Sequence, residues 1–177
     1  MKTTLLAFCL LVFISIGCNN ATDKTGAADS GAAAKTAYAY TIDKPDNWDI
    51  GSSENVALAL KSLKAFENKN LDESLGYFAD TVAWKADYID AKYPKDSLKV
   101  MFEGFWKQNQ ALIIKMEDFE SVISKDKKDE YVTLWYKQIM TDNMGKTDSL
   151  AMINDFKIVN GKIVALSEAM RHYPAKK

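Results

Sequence analysis

The chain has 177 residues, of which 47% are hydrophobic and 27% are charged, a composition typical of a globular protein. Its 23 Lys and Arg residues nearly balance its 24 Asp and Glu residues, which argues against a protein that binds nucleic acid through a basic surface. Arg171 is the only arginine and His172 the only histidine, which excludes a multi-histidine metal site and an arginine-rich phosphate site. We therefore expect no metal, no cofactor and no nucleic-acid partner.

The N-terminal segment has the pattern of a secretory signal peptide over residues 1–17. After the basic Lys2, residues 5–16 form an apolar run that is shorter than the roughly 20 residues a membrane span needs. The run ends in SIGC at residues 15–18, which resembles a bacterial lipobox, although its serine stands where leucine is usual. The resemblance implies that Cys18 is lipidated and anchors the protein in the bacterial cell envelope, at the outer membrane or the periplasmic face. An ordinary secreted protein with an incidental cysteine is the alternative.

Residues 18–46 are predicted to form a flexible tether between this anchor and a folded domain. Residues 19–35 contain no large apolar side chain, so they cannot bury enough surface to become ordered. Pro45 and the polar pair that follows it mark the entry to the domain, which we place at residues 47–177.

Apolar residues at helical spacing predict three helices in the first half of the domain. Ser52 and Ser53 offer an N-cap to a helix over about 53–68, and Asn70 begins a short helix that ends near residue 79. A brief strand over 81–85 and a loop through Pro94 follow, and Asp96 offers the cap of a third helix with an apolar stripe.

The second half of the domain changes to an alternating pattern. Strands are predicted at 112–124, 130–141, 147–158 and 162–173, with turn sequences at 125–129, 142–145 and 159–161 between them. Because the helices and strands are segregated along the chain, the fold class is α+β, with three N-terminal helices packed on a curved antiparallel sheet.

Three segments in this order resemble the NTF2-like superfamily, in particular its SnoaL-like members. They are LKAFEN at residues 63–68, FADTVAW at 78–84, and DFKIVNGKI at 155–163 with Glu168 beyond it. The resemblance implies a cone-shaped fold and spans about residues 50–174. The superfamily contains isomerases, cyclases, epoxide hydrolases, dehydratases and non-catalytic binding modules, so the fold alone does not identify the function.

The hairpin at residues 159–161 determines which side chains would line the cone. A two-residue loop pairs Ile158 with Ile163, whereas a three-residue loop pairs Ile158 with Lys162. The three-residue loop groups the bulky apolar side chains on one face, so it is the register we predict. In that register the concave face carries a set of polar side chains among aliphatic ones: Tyr136, Gln138, Asn154, Glu168 and His172.

The predicted binding residues are four of the polar members of this face and two tryptophans placed at the mouth of the cone: Trp84, Trp106, Tyr136, Gln138, Asn154 and Glu168. A carboxyl group in an apolar cone would have a raised pKa and be suited to act as a general acid or base, so Glu168 is the candidate catalytic residue. The resemblance also implies that epoxide-hydrolysing relatives need an arginine inside the cone, and Arg171 points outward in our register.

Three functions remain open from the sequence. The first is a non-catalytic module that binds a small apolar or amphipathic molecule. The second is a cofactor-independent enzyme of the isomerase or cyclase type that uses Glu168. The third is a structural or partner-binding homodimer that associates through the outer face of its sheet, where Trp135, Ile139 and Ile153 would lie.

Overall fold

The computed structural model describes residues 38–43 and 47–173. The predicted signal peptide, Cys18 and most of the predicted tether lie outside these residues. Residues 38–43 contain no helix or strand, and the first described strand begins at Trp48. Among the described residues, no helix is both long enough and apolar enough to cross a membrane.

Three helices and seven strands make up the domain, in the order β-α-α-β-β-α followed by four strands. The helices are α1 (Ser53–Glu67), α2 (Leu71–Gly76) and α3 (Lys95–Gln108). The strands are β1 (Trp48–Ile50), β2 (Phe78–Ala86), β3 (Ile89–Pro94), β4 (Asn109–Ser124), β5 (Glu130–Asp142), β6 (Thr147–Val159) and β7 (Lys162–His172). The predicted three helices and the four long C-terminal strands are therefore confirmed, and the α+β class with them.

The start of α1 follows from a capping interaction that the sequence predicts. The Ser52 hydroxyl accepts a hydrogen bond from the backbone N–H of Asn55 at 3.1 Å, which satisfies one of the free donors of the first turn. The backbone N–H of Ser52 donates to Glu130 Oε1 at 2.7 Å, so the same residue joins the helix to β5. This cap turns one side of α1 toward the sheet, where it buries Val56 and Ala59.

All seven strands form one curved sheet in the order β1-β4-β5-β6-β7-β2-β3. Neighbouring strands are antiparallel except β2 and β7, which are parallel, so the sheet is mixed rather than wholly antiparallel as predicted. Two short edge strands were not predicted from the sequence. β1 pairs with the end of β4, and β3 occupies the stretch that was predicted as a loop before α3.

The last hairpin differs from the predicted register at its turn. Asn160 and Gly161 both have positive φ, 50° and 68°, and form a two-residue loop that pairs Ile158 with Ile163. The predicted three-residue loop is therefore wrong. A shift in the ladder then leaves Val164 unpaired as a β-bulge, and beyond it Phe156 faces Leu166. The bulge restores the predicted grouping from Leu166 onward, while Ile163 takes the core position predicted for Val164.

The hydrophobic core lies between the helices and the concave face of the sheet. In the sheet, Val132 and Leu134 of β5 and Ile163 of β7 are 0% exposed. The helices add Ala59, Leu75 and Leu98 to the same cluster. The helices therefore cover the concave face of β5, β6 and β7, and the candidate site lies between these two layers.

Candidate functional site

A cavity of about 320 Å³ lies between the helices and the concave face of the sheet. The helices contribute one side of its wall: Ser62, Leu63 and Phe66 of α1, Ser74 of α2, and Met101, Phe102 and Phe105 of α3. The sheet contributes the other side: Phe78, Trp84, Tyr136, Gln138, Met140, Leu150, Met152, Asn154, Phe156, Leu166, Glu168 and Met170. This volume is at the lower end of the roughly 300–1,000 Å³ found for small-molecule sites.

Aromatic rings shape the part of the wall that faces α3. Phe102 lies at the centre of this group, with ring centroids 4.8 Å from Phe66, 6.1 Å from Phe78 and 6.4 Å from Trp84. The three pairs meet edge to face, an arrangement that aromatic rings prefer over a parallel sandwich. These edge-to-face contacts pack the rings of α1, α3 and β2 against one another along this part of the wall.

The polar part of the wall is built by three neighbouring strands of the sheet. Tyr136 of β5, Asn154 of β6 and Glu168 of β7 point to the concave face, and Asn154 lies directly opposite Glu168 in the ladder. The strand alternation explains this placement, because Leu134 and Tyr136 are both buried while Trp135 between them faces outward. One polar region therefore interrupts a wall that is otherwise mostly apolar.

Two buried polar atoms of this wall have no hydrogen-bond partner among the described residues. They are the Oδ1 atom of Asn154, whose side chain is 4% exposed, and the indole Nε1 of Trp84. Gln138 is paired differently, since its Nε2 donates to the sulfur of Met140 at 3.1 Å. Buried polar groups are usually satisfied, so Asn154 and Trp84 offer one acceptor and one donor to a bound molecule.

The cavity environment changes the acidity of its two ionisable groups. Burial raises the pKa of the Glu168 carboxyl above its usual range; a hydrogen bond from the Asn154 side chain opposes this rise, and the negative charge of Asp87 adds to it. Burial also raises the pKa of the Tyr136 hydroxyl, with a further contribution from Glu168. Tyr136 is therefore a neutral donor at any physiological pH, and Glu168 holds its proton to a higher pH than a free glutamate.

Five of the six predicted binding residues line the cavity: Trp84, Tyr136, Gln138, Asn154 and Glu168. Trp106 does not, and its prediction is corrected. It packs behind the wall, with its ring 5.3 Å from Phe105 and 5.8 Å from Phe66, and the ammonium of Lys69 lies 4.6 Å from its ring centre. The physical reason is its position on α3, where Phe102 and Phe105 take the inward-facing side.

Arg171 and His172, at the end of β7, also lie outside the cavity. His172 lies opposite Leu150, on the concave face as predicted, but its side chain is 70% exposed, lies 3.3 Å from the carboxylate of Asp148 and does not line the cavity. Arg171 lies opposite Ala151 on the outer face, as predicted. The described residues therefore do not form an epoxide-hydrolysing arrangement with an arginine inside the cone.

Sequence reasoning missed the helical side of the cavity. Leu63, Phe66, Met101 and Phe105 were visible only as apolar stripes, which are the same whether a residue fills the core or borders a cavity. Within residues 38–43 and 47–173, no group of three or more His, Cys, Asp or Glu side chains is arranged to hold a metal ion. The arrangement can bind an apolar body and orient it through a few polar atoms at one end.

Comparison with known proteins gives matches at the level of structure. A scan with protein-family models and a search of curated proteins found no match. Among solved structures, an NTF2-like protein of unknown function from Burkholderia pseudomallei is similar over 68% of this chain and 92% of its own, with a TM-score of 0.57 and 16% identity.

Two further structures come from Mycobacterium tuberculosis. An LEH-like epoxide hydrolase is similar over 68% of this chain and 84% of its own, with a TM-score of 0.56 and 10% identity. A protein in complex with estradiol-17β-hemisuccinate is similar over 66% of this chain and 93% of its own, with a TM-score of 0.54 and 14% identity. At these identities the similarity concerns the fold, and the domain over residues 47–173 has the NTF2-like cone fold that the sequence resemblance implied.

Proposed function

We propose that this domain is a non-catalytic module that binds one small apolar or amphipathic molecule in its cavity. The observation that carries the proposal is the cavity of about 320 Å³, whose wall is mostly apolar and has its polar atoms gathered on β5, β6 and β7. Such a wall binds through area removed from water and orients the ligand through few hydrogen bonds. The steroid complex of a protein with the same fold supports this type of occupant.

The non-catalytic role is supported by what the wall contains. Of the described residues that form it, Glu168 is the only carboxylate, and none is a cysteine, histidine or lysine that would act as a nucleophile or as a partner in proton transfer. Ser62 is engaged in a hydrogen bond from its hydroxyl to the backbone carbonyl of Ser74 at 3.2 Å. Because this hydroxyl donates to a backbone carbonyl and not to a basic side chain, it lacks the base that activates a serine nucleophile.

A neutral fluorescent probe tests binding. The chain beginning at residue 19 keeps every contact described above, and N-phenyl-1-naphthylamine should gain fluorescence when it enters the cavity. Leu63→Trp places a large ring into the cavity and should weaken probe binding at least about tenfold, which is about 1.4 kcal/mol. Ile113→Trp, on a side chain that is 51% exposed and outside the wall, is the matched control and should bind as the wild type does. Equal binding by both variants would contradict a site in the cavity.

A cofactor-independent enzyme is the second candidate, favoured by the raised pKa of Glu168 beside the neutral hydroxyl of Tyr136. In this role Glu168 removes a proton next to a carbonyl group that Tyr136 holds. Deuterium exchange into the ketone β-tetralone, followed by NMR, tests it. Faster exchange with the wild type than with Glu168→Gln would favour the enzyme, and equal rates would exclude Glu168 as the base.

A homodimer formed through the outer face of the sheet is a further proposal. Trp135 lies opposite Ile153 on this face, and Ile153 is 43% exposed. Ile139 follows Lys137 on the same face of β5. Sedimentation of the chain beginning at residue 19 should show a dimer at tens of micromolar, and Ile153→Lys should shift it toward monomer. A monomeric wild type would refute this interface.

We also propose that the protein is held at a membrane of the bacterial envelope by a lipid on Cys18. The proposal depends on the apolar run of residues 5–16 and on the SIGC sequence that ends it. Metabolic labelling with a fatty acid should mark the wild type and should not mark Cys18→Ser. A labelled Cys18→Ser variant would refute lipidation at this residue.

A further inference from the structure

The ionisable charge at the cavity is negative. Among the described residues that form its wall are the carboxyl of Glu168 and no lysine, arginine or histidine side chain. The charge that acts on Glu168 from beyond the wall is Asp87, which is also negative. Lys85, on the same strand end, is 64% exposed, lies 3.8 Å from Asp90 and is not part of the cavity wall. The field in the cavity therefore disfavours an anion and favours a cation.

The same end of the cavity has two hydrogen-bond acceptors side by side. Asn154 and Glu168 are direct neighbours in the β6–β7 ladder, and both side chains line the cavity. The Oδ1 atom of Asn154, a residue that is 4% exposed, has no hydrogen-bond partner in the part of the chain that the structure describes. An unpaired acceptor next to a carboxylate is complementary to a group with several N–H donors.

The remainder of the wall suits a cation with an apolar body. Trp84, Phe102 and Tyr136 present aromatic rings to the cavity, and the faces of such rings attract an ammonium group. The apolar body of the ligand would contact the rings and methionine side chains further along the wall. The indole N–H of Trp84 is a donor and can meet an oxygen of the ligand, but it does not distinguish a cation from a neutral molecule.

We infer that the occupant of this cavity is an amphipathic amine, whose ammonium group is held by Glu168 and by the side-chain carbonyl of Asn154. The inference rests on the proposed binding function and specifies its ligand class. The physical reason is that a half-buried carboxylate loses hydration, and a bound ammonium compensates for this loss whereas a neutral ligand does not. A carboxylate or phosphate ligand would meet Glu168 and Asp87 with no cation of the described wall to offset them.

Three ligands that share one apolar body test the charge preference. They are 2-(1-naphthyl)ethylamine, 1-naphthaleneethanol and 1-naphthaleneacetate, which are positive, neutral and negative at pH 7.5. Calorimetric titration of the chain beginning at residue 19 should show that the amine binds most tightly of the three, with an affinity at least about tenfold above that of the acid. Glu168→Gln should lower the affinity for the amine about tenfold and leave that for the alcohol unchanged.

Glu117→Gln removes the same charge from an exposed position of β4 outside the cavity wall, and it should bind all three ligands as the wild type does. Thermal unfolding of both variants checks that they are folded. If the alcohol binds as tightly as the amine and Glu168→Gln changes neither, the amine inference is wrong while the proposed binding function stands. If none of the three binds at millimolar concentration, both are refuted.

Discussion

The position of the bulge in β7 makes a quantitative prediction about two adjacent residues. Ile163 is 0% exposed and lies opposite both Ile158 of β6 and Phe78 of β2, whereas Val164 is unpaired and only partly buried. Ile163→Ala removes three buried carbon atoms, which at about 0.8 kcal/mol per carbon amounts to about 2.4 kcal/mol. The cavity left between strands that cannot close up raises the expected loss to about 3–4 kcal/mol.

Val164→Ala removes two carbon atoms that are already partly in water, so we expect a loss of about 1 kcal/mol. For a domain of this size these losses correspond to a lower melting temperature by about 10–15 °C for Ile163→Ala and about 3–5 °C for Val164→Ala. Urea denaturation with a common m-value gives the free energies of unfolding directly. Ile163→Val keeps the branched shape and should cost about 1 kcal/mol, which separates the loss of volume from the loss of strand propensity.

The three-residue loop predicts that Val164→Ala, and not Ile163→Ala, causes the larger loss of stability. In that register Val164 faces the core and Ile163 faces outward, so Val164→Ala would be the more costly change. A loss for Val164→Ala that equals or exceeds the loss for Ile163→Ala would refute the two-residue loop and the bulge. It would also remove the basis for placing the residues near this turn on their present faces.

Three further changes test other parts of the structure. Ser52→Ala removes the cap of α1 and should lower the free energy of unfolding in urea by about 1 kcal/mol; no change would show that the cap is not formed. Gly161→Ala should lower the free energy of unfolding by about 1–2 kcal/mol because φ is +68°, a conformation that side chains with a Cβ disfavour. The added Cβ would meet no atom within 4 Å, so no steric clash contributes. An unchanged melting temperature would contradict this turn. Burial raises the pKa of Glu168, so the free energy of unfolding falls as pH rises from the pKa of this group in the unfolded chain toward its pKa in the folded protein. The melting temperature of Glu168→Gln should therefore exceed that of the wild type by more at pH 8 than at pH 4. Equal differences at the two pH values would exclude a buried, titrating carboxyl.

Much of the fold is predictable from local signals in the sequence. Ser52, Asn70 and the apolar spacing that follows each of them predict helices close to those observed, because a helix is held by bonds between residues four apart. The alternation in β5 also places Tyr136 and Gln138 on the same face, and both line the cavity. Such patterns are local properties, so they are readable without knowing the neighbouring strand.

Other features depend on partners that are distant in the sequence. β2 pairs in parallel with β7, which lies far along the chain. No local pattern in residues 78–84 predicts this pairing. The edge strands β1 and β3 are short and largely exposed, so they lack the alternation by which strands are recognised. The bulge at Val164 arises because β7 must match β6 on one side and β2 on the other.

The candidate site shows the same division. Asn154 and Tyr136 are predictable because strand alternation assigns each of them a face. Glu168 lies on the predicted face only because the bulge at Val164 offsets the error in the predicted loop. The cavity itself is not predictable from the sequence, because an apolar stripe on α1 or α3 does not specify whether its side chains pack against the sheet or leave a cavity there. Trp106 was misplaced for this reason: helical spacing put it on the widened stripe, and only the packing of Phe66 and Phe105 excludes it from the wall. The face that a side chain takes within a regular helix or strand follows from periodicity along the chain. The cavity and the charge of its wall follow from how the helices and the sheet pack together.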